Sequence, residues 1–126
     1  MQQTLQQKKR ILFIVNPISG MRRRVKLVDI IKRHINTKKF IPEIKETAYA
    51  GHAIRLSREA VEQKMDVVVA VGGDGTINEV ASQIIGSSTV LGIIPQGSGN
   101  GLARHLGIPR TIQGAIRLIN RLHVTE

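Results

Sequence analysis

The sequence predicts a three-layer α/β/α domain built on a mostly parallel sheet. Short apolar runs rich in β-branched residues alternate with stretches whose apolar residues recur at helical spacing, the pattern of consecutive strand–helix–strand units. Two of the runs, residues 66–71 and 90–94, are almost uninterrupted apolar sequence, as expected of strands covered on both faces. A hydrophobic content of 41% over 126 residues suffices for one compact core and excludes two.

Taken in order, Arg10 to Val15 (Arg-Ile-Leu-Phe-Ile-Val) reads as a buried strand that ends at Asn16-Pro-Ile-Ser-Gly20. Residues 21–35 place Leu27, Val28, Ile31 and Ile35 on one helical face, with Arg22, Arg23, Arg24, Lys26, Lys32 and Arg33 largely elsewhere. Phe40 to Thr47 alternates imperfectly and reads as a second strand. Gly51 to Lys64 predicts a helix with Ala53, Ile54, Leu56, Ala60 and Val61 facing inward. Asp66 to Val71 is the clearest strand. After Gly72-Gly-Asp-Gly75 a helix follows, with Ile77, Val80, Ala81 and Ile84 on one face. Val90 to Ile94 is the fourth strand and Pro95 to Gly99 a polar, glycine-rich loop. A short helix from Asn100 to Leu106 and a last one over residues 111–122, carrying Ile112, Ala115, Ile116 and Ile119, complete the pattern. Residues 1–9 form a basic tail, and 10–126 the domain.

The chain has no cysteine, which excludes a disulfide framework, a thiolate zinc site and a cysteine nucleophile. His34, His52, His105 and His123 show no metal-ligand spacing. No apolar run approaches the roughly 18 residues of a spanning helix, and the polar start carries no signal core. A soluble, intracellular protein is expected. The net charge of +10 is one-sided: residues 1–64 hold fifteen basic and five acidic side chains, residues 65–126 four of each. Such a field favours phosphorylated partners or an anionic membrane face. Phe13, Phe40 and Tyr49 are the only aromatic residues, too few for a single-stranded nucleic-acid platform, and nucleic acid is not the expected partner.

In a parallel sheet, ligands bind beyond the C-terminal strand ends, and three unusual loops fall there. Asn16-Pro-Ile-Ser-Gly20 suits either an ordinary capped turn or an anion at a helix start. Gly72-Gly-Asp-Gly-Thr-Ile-Asn-Glu79 packs three glycines into four residues, which permits close approach of the backbone to a bulky charged group. Asp74, one of three aspartates, could hold Mg²⁺ or accept a proton from an attacking hydroxyl. Thr76, Asn78 and Glu79 follow on the first turn of the helix. Pro95-Gln-Gly-Ser-Gly-Asn-Gly101 repeats the logic, with glycine at alternate positions before another helix. Neither familiar phosphate signature is present. There is no GxxxxGK[ST], and Leu102 stands where the last glycine of GxGxxG belongs.

Together these segments resemble the catalytic domain of the diacylglycerol kinase and sphingosine kinase family of lipid kinases. The likeness runs in order through Asn16 to Gly20, Thr47-Ala-Tyr-Ala-Gly-His-Ala53, Gly72 to Val80, Leu91 to Asn100, Leu102-Ala-Arg and Leu106-Gly-Ile-Pro109. The glycine-rich Gly72 to Thr76 segment alone is also similar to NAD kinases and phosphofructokinases, so the resemblance implies a Rossmann-like fold of that kind. It further implies the ATP-binding part of a two-domain enzyme that uses Mg-ATP and a lipid substrate. Asn16, Pro17, Ser19 and Gly20 would meet phosphates or ribose, and Thr47 would lie by the adenine. Gly72, Gly73, Gly75 and Thr76 would cradle phosphates, flanked by Asn78 and Glu79. Gly97, Ser98 and Asn100 would close the far side, and Asp74 would serve the transfer as base or magnesium ligand.

Two departures stand out. Many bacterial diacylglycerol kinases carry Asp after the Asn of the third loop, where this chain has Gly101, a form more similar to sphingosine and ceramide kinases. The family's β-rich second domain has no counterpart here, so a fragment of a longer enzyme, inactive alone, is expected. Residues 22–39, with eight basic residues and one acid, would suit peripheral contact with an anionic membrane, and a homo-oligomer is compatible with the sequence. The competing readings are an NAD kinase-like nucleotide kinase and a non-catalytic basic module binding nucleic acid or membrane through residues 8–45.

Overall fold

The computed structural model describes residues 7–17, 21–96 and 112–121. Four strands, β1 (Lys9–Val15), β2 (Phe40–Glu46), β3 (Val67–Gly72) and β4 (Val90–Pro95), form one sheet in the order β2-β1-β3-β4. Every neighbouring pair is parallel. The helices are α1 (Met21–His34), α2 (His52–Glu62), α3 (Asp74–Ile84) and α4 (Ile112–Asn120). The expected helix at 100–106 lies outside the described residues.

Alternation along the strands divides the core in two. Ile11, Phe13, Val15, Val67, Val69 and Val71 point to a face covered by Leu27 and Ile31 of α1 and by Ala115, Ile116 and Ile119 of α4. Leu12, Ile14, Val68 and Ala70 point to the other, covered by Ala53, Leu56 and Ala60 of α2 and by Ile77, Val80 and Ile84 of α3. The three-layer prediction therefore holds, with β1 and β3 buried through the centre. β2 is an edge strand, which explains its imperfect alternation: it tolerates Pro42, and Ile41 is 54% exposed.

Three details differ from expectation. Ile54 and Val61 of α2 are only half-buried, and Ser57 takes the inward position instead, fully buried with its hydroxyl donating to Ala53 O at 2.6 Å. That i−4 back-bond removes the penalty for burying a hydroxyl. Ala81 is half-buried as well, leaving Ile77, Val80 and Ile84 as the seam of α3. Finally, α3 begins at Asp74, inside the stretch read as a loop, with Gly73 as its N-cap.

Asn120 ties α4 to the end of α1. Its amide donates to His34 O and accepts from Asn36 N, both at 2.9 Å, while Lys39 Nζ donates to Asn120 O at 2.8 Å. If α4 closes this face, Ile116→Ala, at a side chain with no exposure, lowers the unfolding free energy by about 2–5 kcal/mol. Urea unfolding measures it, and a loss below about 1 kcal/mol would mean that α4 is not packed on the sheet.

Candidate functional site

All four strand ends line up on one rim. Beyond the strands the ladder runs one step further: Asn16 N donates to Val71 O at 3.0 Å, Thr47 N to Val15 O at 2.9 Å and Gln96 N to Gly72 O at 2.9 Å. From β1 the chain leaves through α1 to β2 on one flank, and from β3 through α3 to β4 on the other. The two exits diverge, and the crevice they leave is the favoured ligand position in a sheet of this kind.

A pocket of about 410 Å³ occupies that crevice, within the size range of small-molecule sites. Six of the expected site residues line it: Asn16, Pro17, Thr47, Gly75, Thr76 and Glu79. They come from three segments far apart in sequence: the end of β1, the end of β2 and the start of α3. Asn16 Nδ2 donates to Thr76 Oγ1 at 2.9 Å, joining the end of β1 to the first turn of α3. Thr76 is 6% exposed, so this bond is the inner wall of the pocket. Asp74 and Asn78 are exposed residues of α3 outside the lining. Ser19, Gly20, Gly97, Ser98 and Asn100 lie outside the described residues.

The glycines divide by role. A Cβ on Gly72 would meet Thr76 Cβ and Oγ1 at 2.9 Å, so the fold itself demands glycine there. A Cβ on Gly75 would meet nothing within 4 Å, and Gly75 shows no positive φ. Glycine within a helix is disfavoured relative to alanine, and among the described residues no packing contact explains its presence at 75. Gly73 caps α3 without a side-chain bond, and Ile77 N bonds Gly73 O at 3.0 Å, while the N–H groups of Gly75 and Thr76 have no acceptor within the helix. This end of the pocket suits an anion.

The opposite wall is apolar. Ala48, Tyr49, Ala50 and Gly51 form it, and Gly51 needs its glycine because its φ is +87° where it starts α2. Tyr49 was legible in the sequence only as one member of a motif. Its ring stacks on His52 with centroids 4.3 Å apart and planes 14° from parallel. His52 Nδ1 accepts from Ala48 N at 2.8 Å, so the neutral ring carries its proton on Nε2. Arg55 holds its proton more tightly than usual, first through a side-chain hydrogen bond to Tyr49 and then through Glu59, whose carboxylate it also pairs at 3.1 Å. A signal existed: Tyr49 is the one aromatic residue outside the predicted strands.

Among the described residues, no group of three His, Asp or Glu side chains could hold a metal ion by itself. Asp74 nevertheless fits a magnesium ion that arrives with phosphate ligands, because Mg²⁺ typically uses only one or two carboxylates beside substrate oxygens. Among the same residues, no helix is long and apolar enough to cross a membrane.

The profile of the diacylglycerol kinase catalytic domain matches residues 10–126. A diacylglycerol kinase from Bacillus subtilis (strain 168) is 39% identical over 111 residues, which are 81% of this chain and 34% of that protein. One from Staphylococcus saprophyticus is 34% identical over 121 residues, 94% of this chain and 40% of that protein. The crystal structure of a diacylglycerol kinase from Bacillus anthracis str. Sterne superposes with a TM-score of 0.74 at 30% identity, covering 91% of this chain and 44% of that one. The chain thus spans well under half the length of these relatives.

The two glycines make opposite predictions. Gly72→Ala lowers the unfolding free energy by about 1–3 kcal/mol through its collision with Thr76. Gly75→Ala leaves stability unchanged or raises it by up to about 1 kcal/mol. Denaturant unfolding of both variants checks this, and a destabilised Gly75→Ala would show that the glycine serves the fold rather than a ligand.

Proposed function

Because the chain belongs to the diacylglycerol kinase catalytic domain family, we propose that it is the nucleotide-binding domain of a lipid kinase that transfers the γ-phosphoryl group of Mg-ATP to a lipid hydroxyl. The observation that carries the reading is the pocket at the crevice, with Gly75 and the open first turn of α3 at one end and an apolar wall at the other. Phosphate oxygens accept from the backbone N–H groups of Gly75 and Thr76, and the base lies toward Thr47 and Tyr49. Ser19, Gly20, Gly97, Ser98 and Asn100 complete the proposed set of nucleotide contacts.

In the reaction, the lipid oxygen bonds to the γ-phosphorus as the bond to the β-phosphate oxygen breaks, and ADP leaves. Catalysis of this kind is mostly positioning and charge neutralisation. Asp74 stands at the mouth of the crevice, where it either takes the hydroxyl proton or holds the magnesium ion. Bound Mg²⁺ supplies countercharge to the phosphates. The lipid pocket belongs to a further domain, such that residues 10–126 alone bind nucleotide without turning it over. The acceptor is diacylglycerol or a related sphingoid lipid.

The basic half of the chain fits work at an anionic leaflet, with Lys32 and Arg33 exposed at the end of α1 and each cation near the surface contributing on the order of 1 kcal/mol. The reading puts the enzyme in the cytoplasm, touching the membrane peripherally.

Calorimetric titration of the 126-residue chain with Mg-ATP tests the reading, with NAD as control. Saturable heat with ATP alone is expected, and Gly75→Ala weakens it by about tenfold or more, because a methyl group at 75 displaces a phosphate. NAD serving as phosphate acceptor in the complete enzyme would instead favour a nucleotide kinase. In that enzyme, Asp74→Asn abolishes lipid phosphorylation while ATP affinity stays within about tenfold. Retained turnover would remove Asp74 from the mechanism.

A further inference from the structure

We propose that Tyr49 is the stacking wall for the nucleobase, backed by His52, and that it sets a preference for purine nucleotides. This rests on the nucleotide reading above and adds a residue to it.

The argument begins with an expense that the fold does not explain. Tyr49 is 55% exposed, in a chain with three aromatic residues whose other two are buried. An exposed ring is usually left to move. This one is held on one face by His52, with ring centroids 4.3 Å apart. His52 is held in turn, through Ala48 N on Nδ1. Tyr49 lines the pocket whereas His52 does not, and because His52 covers one face of the tyrosine ring, the other face is the one a ligand can meet. A planar, pre-oriented aromatic surface is thereby presented to the pocket.

What such a surface takes follows from the rest of the lining. At the α3 end, Gly75 and Thr76 offer backbone donors to an anion. At the Tyr49 end, Ala48, Ala50 and Gly51 carry no charge and no long side chain, which leaves a slot beside the ring. A ligand that is anionic at one end and a flat aromatic at the other matches both walls at once, and a nucleoside triphosphate is such a molecule. Stacking does not need hydrogen bonds to the base, so the discrimination it supplies is by ring area, with purines above pyrimidines.

The sequence supplies its own probe. Tyr49 is the only tyrosine and tryptophan is absent, so intrinsic ultraviolet emission of the 126-residue chain comes from Tyr49 alone. Titration with Mg-ATP, corrected for nucleotide absorbance, quenches that emission saturably, with the midpoint that calorimetry gives. Inorganic tripolyphosphate leaves it unchanged. Tyr49→Ala weakens ATP by about tenfold or more and narrows the preference for ATP over CTP, whereas Tyr49→Phe stays within about twofold of the parent. Saturable ATP heat without any change in emission, equal quenching by tripolyphosphate, or undiminished ATP affinity in Tyr49→Ala would each overturn the stacking role and leave nucleotide binding intact. No saturable heat with ATP would overturn the nucleotide reading itself, and the stacking role with it.

Discussion

The parallel pairing of β1 with β3 is the constraint on which the rest of the structure depends. Its register, from Ile11 opposite Val67 to Val15 opposite Val71, sets two runs of fully buried residues side by side with their C-terminal ends together. Parallel strands cannot be joined by a tight turn, so each must be left through a helix that crosses back over the sheet. Here the crossovers go to opposite flanks, and among the described residues no backbone fills the space between them. The Asn16–Thr76 hydrogen bond, between residues 60 apart, seals the floor of that space and fixes the first turn of α3 against the end of β1. The pocket is what two diverging exits and one bond leave open.

The same geometry accounts for the glycines beside it. Gly72 is the last residue of β3, and Thr76 folds back over it because α3 starts only two residues later. That closeness is possible only without a Cβ. A loop of one residue between strand and helix also brings the open N–H groups of the helix to the rim rather than leaving them behind a longer turn. Structural necessity at 72 and vacancy around 75 are thus two consequences of one abrupt connection.

Much of this was legible in the sequence, and the physics says why. Strands at the centre of a parallel sheet need apolar residues on both faces, so β1 and β3 stand out as unbroken runs; helices packed on one side only show their spacing, as at Ile77, Val80 and Ile84. Harder to read were positions decided by a partner far away. Ser57 looks polar until its hydroxyl is seen bonded to Ala53 O. The start of α3 at Asp74 was hidden because glycines read as loop. Tyr49 was hidden for a related reason: a lone aromatic in a turn has no periodicity, and its meaning comes from His52, Arg55 and a cavity wall that only the fold assembles.

Charge poses the remaining problem and constrains its own answer. A nucleoside triphosphate is strongly anionic, yet the pocket's described lining holds no Lys or Arg, and its single charged member is Glu79. The N-terminal end of α3 offers the equivalent of only about half a positive charge. Backbone donors alone therefore position phosphates without neutralising them. Under the proposed function, the countercharge has to come from outside the lining. The source this reading assigns is a divalent ion brought with the nucleotide and held by Asp74, which stands exposed one residue before Gly75. A site arranged in this way binds its ligand through shape first and receives its charge with the ligand. Described cations of the basic half, Lys32 and Arg33 among them, are then left on the outer surface, where an anionic membrane would meet them.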